Sequence, residues 1–258
     1  MTVLDQGIIY IATGDQHRIE AVRNMSASQP YLNGCESVLF TDEPSLIPDN
    51  IFSRVLRHPS SCFSYRDKIL PLIDLPFEVN LFLDSDARLI DDVSNLFSSF
   101  GNADFSAVYA PVRHPPGWSD GAVPSFFPEL NSGVLLLRRS ELQRSFISSW
   151  LNLYDELYSK FQQSWDQASL RSVAWHFSQF QNLRLQVLPQ EANLRLTKPW
   201  VAGRGLKVCV IHGRPPEEEL DAFIHFLNHD FDRFRTWSEW ISLYPNSQIR
   251  PRHDRTFS

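Results

Sequence analysis

Two aspartates spaced by one residue, Asp84 and Asp86, end the apolar run Val79-Asn80-Leu81-Phe82-Leu83-Asp84-Ser85-Asp86. If the run is a strand, residues i and i+2 project to the same side, so both carboxylates face one point beyond its end. Two bare carboxylates repel a diphosphate. A divalent cation between them makes the arrangement attractive, and hard oxygen ligands suit Mg²⁺ or Mn²⁺. Aspartate supplies 18 of 258 residues, so about one Asp-x-Asp arises by chance. Asp230-Phe231-Asp232 is such a pair, with no strand before it. Asp84 and Asp86 would also suit the entry to a helix at Asp91-Asp92.

Three further groups carry similar alternatives. His212 closes the apolar run Val208-Cys209-Val210-Ile211, at an exposed sheet-edge position where a ligand, a cap and a solvated ring are all open to it. Asn131, Ser132 and Gly133 open another apolar run. An amide and a hydroxyl there suit sugar hydroxyls, glycine permits close approach, and a plain turn before a strand uses the same residue types. Asp166 and Gln167 begin an amphipathic segment, where an acid is also favoured by the helix dipole.

The elements that must position these groups alternate along the chain. Strands are expected at 8–13, 37–41, 79–83, 105–110, 133–137, 184–188 and 207–211. Helices are expected at 18–28, 65–75, 90–100, 141–161 and 165–177. Several strands are continuous apolar runs, the pattern of a sheet covered on both faces, so the fold class is α/β with a largely parallel sheet. In such sheets ligands bind beyond the carboxyl ends of the strands, where Asp84 and Asp86 fall. Residues 111–128 carry five prolines and two glycines and read as a long loop. Segments 217–227 and 231–244 read as aromatic-rich helices that pack on the domain, and 245–258 as a loose tail.

Composition narrows the function. The 258 residues suit one large domain that folds without a disulfide or metal staple. A net charge of −6 argues against a general nucleic-acid binder. Cys35, Cys62 and Cys209 form no CxxC, so a reduced, cytoplasmic setting is expected. The N-terminus lacks a signal-peptide pattern, and no transmembrane segment is expected. Only 10 residues are glycine, too few for a glycine-rich phosphate cradle, while the 24 basic residues are 20 Arg and 4 Lys. Arginine is the better fork for phosphate.

In their order and spacing the motifs resemble the retaining glycosyltransferases of the GT-A fold. The closest likeness is to family 8, the group of glycogenin and the bacterial lipopolysaccharide galactosyltransferases. The first strand, Ile9 to Thr13, looks like that family's nucleotide-binding strand. Tyr65-Arg66-Asp67-Lys68 holds its basic donor-binding position, and Leu83-Asp84-Ser85-Asp86 its Asp-x-Asp motif. Asn131-Ser132-Gly133 matches its Asn-(Ser/Ala)-Gly, Trp165-Asp166-Gln167 its Asp-Gln pair, and Leu188-Pro189 with Asn193 its Leu-Pro…Asn segment. Ile211-His212-Gly213 resembles the terminal motif whose histidine is the third protein ligand of the metal.

The resemblance implies a GT-A, Rossmann-like catalytic domain over 1–214, a mixed, mostly parallel sheet flanked by helices, with 215–258 as a helical extension packed on it. It implies Mn²⁺ (or Mg²⁺) held by Asp84, Asp86 and His212, and a nucleotide sugar that is UDP-linked. Donor contacts are implied at Ala12, Thr13, Asp15, Arg66, Ser85, Asn131, Ser132, Gly133, Gly213 and Arg214. Asp166 and Gln167 fall beneath the anomeric carbon, and the partner is a carbohydrate-type acceptor.

Two departures stand out. The family ends His-x-x-Gly-x-x-Lys-Pro-Trp, whereas here His212-Gly213-Arg214 ends the motif and Lys198-Pro199-Trp200 lies upstream, leaving Arg214 or Arg204 for the β-phosphate. Ala110-Pro111 is followed by Val112 and a loop containing Trp118, a candidate for acceptor contact. Two other readings remain. One is a catalytically silent nucleotide-sugar or glycan-binding module. The other is a haloacid-dehalogenase-type phosphatase, whose Asp-x-Asp sits on the first strand rather than on an internal one.

Overall fold

A computed structural model describes residues 5–110, 119–196 and 202–251. The uninterrupted apolar runs form strands with both faces covered. A seven-stranded sheet holds β1 (Gln6–Ala12), β2 (Glu36–Thr41), β3 (Arg54–Arg57), β4 (Val79–Leu83), β6 (Phe105–Tyr109), β7 (Leu130–Arg138) and β8 (Leu185–Leu188), in the order β3-β2-β1-β4-β7-β6-β8. Strands β1, β2, β3 and β4 are mutually parallel and β8 is parallel to β6. Strand β7 is antiparallel to both its neighbours. The sheet is therefore mixed, with one inverted strand in an otherwise parallel frame.

Helices cover both faces. The helices are α1 (Asp15–Ser28), α2 (Arg66–Ile69), α3 (Ser94–Phe100), α4 (Glu141–Phe161), α5 (Asp166–Phe180), α6 (Glu217–Asn228) and α7 (Trp237–Leu243). Ile8, Tyr10, Leu81 and Val134 pack with Met25 of α1 and Phe97 of α3 on one face. Ile9, Phe82 and Leu135 pack with Phe146 and Trp150 of α4 and Leu170 of α5 on the other. The alternation along β1, β4 and β7 is the strand period of two, with both sides apolar.

Several elements differ from expectation. The helix expected over 65–75 is one α turn followed by a 3-10 turn, Leu70–Ile73, because Pro71 cannot continue the α ladder. The helix expected from Ile90 starts at Ser94, where the Asp92 carboxylate accepts from the Ser94 backbone N–H (2.8 Å). The residues before it form β5 (Ala87–Leu89), which joins β10 (Val210–His212) and β9 (Leu194–Arg195) in a small second sheet, order β5-β10-β9. The helix expected over 231–244 begins only at Trp237, where Thr236 caps it by accepting from Glu239 N (3.1 Å). Just upstream, the fully buried Arg235 donates to the carbonyls of Leu227, Gly203 and Leu206 instead of extending a helix.

The C-terminal residues lie on the small sheet. Phe223, Trp237 and Trp240 pack against Ile90, Leu194 and Ile211. Within the expected loose tail, Ser247 and Ile249 are buried. The Ile249 carbonyl accepts from Trp240 Nε1 (3.1 Å), while residues 252–258 lie outside the described residues. Loop residues 111–118, Trp118 among them, and Lys198-Pro199-Trp200 also lie outside. Among the described residues no helix is long and apolar enough to cross a membrane.

Candidate active site

Strand register, rather than loop chance, assembles the site. Strand β4 ends at Leu83 opposite Val134 of β7, and the next rung, Asp84 N–H to Gly133 O (2.8 Å), ties Asp84 beside Gly133. The chain then turns, closed by Ala87 N–H to Asp84 O (2.9 Å), so Asp84-Ser85-Asp86 is a tight turn and not the extended end expected. Strand β5 runs back antiparallel to β10 with Ala87 opposite His212, and Gly213 N–H donates to Asp86 O (2.9 Å). His212 is consequently held next to both aspartates. Strand β10 is the middle strand of its sheet, and His212 is buried, not at an exposed edge. Its parallel neighbour β9 sets Arg195 opposite it.

The resulting donor set is compact. One ligand atom each from Asp84, Asp86 and His212 lie within 4.8 Å of one another. His212 Nε2 is 3.1 Å from Asp86 Oδ1 and 3.8 Å from Asp84 Oδ2. Two carboxylates and an imidazole brought this close are a donor set that could hold a divalent cation. Gly133 makes the room: a Cβ there would stand 2.2 Å from His212 Cε1 and 2.7 Å from Asp84 Oδ2. The close approach that Gly133 permits is thus filled by these two side chains.

The group opens into a cavity of about 770 Å³. Lys68 spans its floor, 2.9 Å from Asp166 Oδ2, 3.5 Å from Asp84 Oδ1, and donating to Ser132 Oγ at 2.9 Å. Burial works against the Lys68 charge, but Asp166 and Asp84 more than offset it and raise its pKa above the ordinary lysine range. Burial pushes the Asp84 carboxyl up, outweighing the pull of Lys68 and His212. Burial acts on Asp86 in the same sense but loses there, and His212, Arg214 and Arg195 hold that carboxyl well below the usual range. Two acids at one site thus have environments that push them apart.

Of the residues expected to bind a donor, Thr13, Asp15, Ser85, Asn131, Ser132 and Arg214 line this cavity, as do Asp166 and Gln167. Ala12 is buried behind Thr13, and Gly133 and Gly213 support the ladder without lining the cavity. Arg66 does not line it. Its guanidinium pairs with Asp155 (3.1 Å), and the cavity-facing cation of that segment is Lys68. At 100° per residue, positions 66 and 68 cannot face one way.

Arg204 lies over the Phe234 ring (5.6 Å to the centroid), outside the cavity. Arg214 is inside. Its Nε and Nη2 donate to Glu20 (2.5 and 2.9 Å), and Nη1 is 3.3 Å from Asp86 Oδ2. Arg195 and the exposed aromatic rings Phe63, Tyr65 and Trp165 also line the cavity; Arg195 and Phe63 lie outside every motif, and Tyr65 and Trp165 begin two of them without a role of their own. Periodicity does not flag Arg195, since β9 is two residues long, or Phe63, which stands in a bend.

No protein-family model matches the chain, and no curated protein matches it by sequence. Solved structures do. Mouse xyloside xylosyltransferase 1, in its apo form, matches with a TM-score of 0.52 and 14% identity over 81% of this chain and 97% of its own. The galactosyltransferase LgtC, in complex with donor and acceptor sugar analogs, matches at 0.52 and 13% over 81% and 87%. The chain has the GT-A fold. The glycosyltransferase GlyE of Streptococcus pneumoniae, at 0.52 and 16%, shares it over 74% of this chain and 48% of that larger one. At these identities the likeness is one of fold, and activity must be argued from the site.

Proposed function

We propose that this chain is a metal-dependent retaining glycosyltransferase. It transfers a hexose or pentose from a nucleotide sugar, UDP-linked, to a glycan, lipid or protein acceptor. The observation that carries this reading is the Asp84–Asp86–His212 group, its histidine buried and its two carboxylates half-buried, opening into the same cavity as Lys68, Arg214 and the Asp166–Gln167 pair. The two acids and the histidine are the groups that would hold Mn²⁺. Bound there, the ion supplies Lewis-acid stabilisation of the leaving diphosphate.

The chain's own residues do the rest. Arg214, anchored by Glu20, directs Nη1 toward Asp86 and is the candidate for the diphosphate in place of the family's lysine. Ser132 and Asn131 line the cavity beside Lys68 and are suited to sugar hydroxyls. Asp166 pairs with Lys68 (2.9 Å) and suits a site where positive charge develops at the anomeric carbon. Its lysine pairing favours that electrostatic role over nucleophilic attack. In same-face transfer the glycosidic bond breaks, the acceptor oxygen bonds to the anomeric carbon, and the acceptor proton passes to the leaving phosphate oxygen.

The test is purified protein with Mn²⁺ and a panel of nucleotide sugars, read by release of nucleoside diphosphate and by sugar transfer. Hydrolysis or transfer with one donor is expected. Binding without turnover would favour a nucleotide-sugar-binding module, and no nucleotide binding at all would refute the reading.

A further inference from the structure

A histidine binds metal through one ring nitrogen, and which one is set by what the other nitrogen meets. Here a backbone group dictates the answer through two side-chain amides. Gly133 N–H can only donate, and its partner is Asn131 Oδ1 at 2.9 Å. That contact fixes which end of the Asn131 amide is oxygen. The same oxygen lies 2.9 Å from Asn193 Nδ2, which must therefore be the donor end of the second amide. Asn193 Oδ1 is then turned to His212 Nδ1, 2.9 Å away. An amide oxygen cannot donate, so Nδ1 must carry the proton.

We propose that the Asn131–Asn193 pair is a positioning relay that locks His212 with its proton on Nδ1 and its Nε2 lone pair toward Asp84 and Asp86. The proposal rests on the reading that this group holds a divalent cation. Asn131, Asn193 and His212 are 4%, 1% and 2% exposed, so water cannot take over a broken link. A flipped Asn193 would set its NH₂ against Nδ1 and its oxygen against Asn131 Oδ1, leaving two buried mismatches. Gly133 serves both ends. Its N–H starts the relay, and its lack of a side chain admits the His212 ring.

Removing such a supporting partner typically weakens metal binding about 10–100-fold. The experiment has two arms on full-length protein. In the first, Mn²⁺ affinity is measured by electron paramagnetic resonance on wild type, Asn193→Leu and Asn131→Asp. Asn193→Leu is expected to bind about 10–100-fold more weakly. Asn131→Asp, whose carboxylate oxygen still accepts both N–H groups, is expected to bind at least as tightly as wild type.

In the second arm, ¹⁵N-histidine NMR of the Zn²⁺-loaded wild type identifies the protonated nitrogen of His212, assigned by difference from His212→Ala. A slowly exchanging Nδ1–H with metal on Nε2 is expected. A ring lacking that N–H, or Asn193→Leu binding Mn²⁺ like wild type, overturns the relay. The NMR arm on wild type decides it even where Asn193→Leu does not fold. Wild type that binds neither Mn²⁺ nor Zn²⁺ overturns the metal reading itself.

Discussion

Replacing Gly133 with alanine adds one methyl group where two candidate metal ligands converge. Gly133 lies within β7, so alanine meets no conformational objection from the strand and the effect is steric. The new Cβ would stand 2.2 Å from His212 Cε1, 2.7 Å from Asp84 Oδ2 and 2.8 Å from His212 Nδ1. To reach the 3.4 Å of ordinary contact the ring must retreat by about 1.2 Å, whereas metal–ligand distances tolerate about 0.2 Å. The retreat also breaks the 2.9 Å bond between His212 Nδ1 and Asn193.

Mn²⁺ affinity should therefore fall by at least the roughly 10–100-fold that disturbing a ligand's support costs. Overpacking should cost about 1–3 kcal/mol, or roughly 2–12 °C in Tm for a chain of this size. Mn²⁺ titration by electron paramagnetic resonance and thermal unfolding by circular dichroism read the two effects separately. Gly121→Ala is the control, since a Cβ at Gly121 has nothing within 4 Å. Gly133→Ala protein that binds Mn²⁺ as tightly as wild type would show that His212 and Asp84 do not hold the ion beside Gly133.

Other outcomes follow from the same packing. Lys68→Met leaves the Asp166 and Asp84 carboxylates without their buried counter-ion and should cost about 3–5 kcal/mol at pH 7. Urea unfolding reads that deficit; a loss under 1 kcal/mol would contradict the pairing. Asp67 is buried, which raises its pKa, yet hydrogen bonds from Thr13, Cys62 and Phe63 overcome this and hold the carboxyl below its ordinary value. Its contribution is present above the unfolded carboxylate pKa and is lost as pH falls through the folded one, so the urea midpoint of wild type should drop more steeply below pH 4 than that of Asp67→Asn. Trp240 is fully buried under the C-terminal segment, and Trp240→Ala should lower stability by about 3–5 kcal/mol in the same assay. A loss under 1 kcal/mol would show that residues 215–251 are not part of the folded core.

The parts of the site that lie on long apolar strands are legible in the residues themselves. Asp84 and Asp86 after β4, Asn131 and Ser132 on β7, and Asp166 at the head of α5 all sit where hydrophobic runs and their ends point. What stays hidden is what two- and three-residue strands do. Strands β5 and β9 are too short to show a period, yet they turn His212 from an expected edge residue into the buried centre of a small sheet. Lys68 is hidden for a different reason: Arg66 and Lys68 are equally basic in one dimension, and only helical phase separates the residue facing Asp155 from the one facing the cavity. The aromatic C-terminal segment reads as a helix throughout because Phe231, Phe234 and Trp237 keep a helical spacing, but Arg235 and Thr236 interrupt it with side-chain bonds to backbone.

On the proposed function, the Asp84–Asp86–His212 group and its cavity bind a nucleoside diphosphate through a divalent cation. Isothermal titration of UDP into the purified protein, with Mn²⁺ and with EDTA, tests it most directly. Saturable one-to-one binding is expected in Mn²⁺, lost in EDTA and in Asp86→Asn protein whose circular dichroism is unchanged. UDP binding that is equally tight in EDTA, or no binding of any nucleoside diphosphate in Mn²⁺, would contradict it.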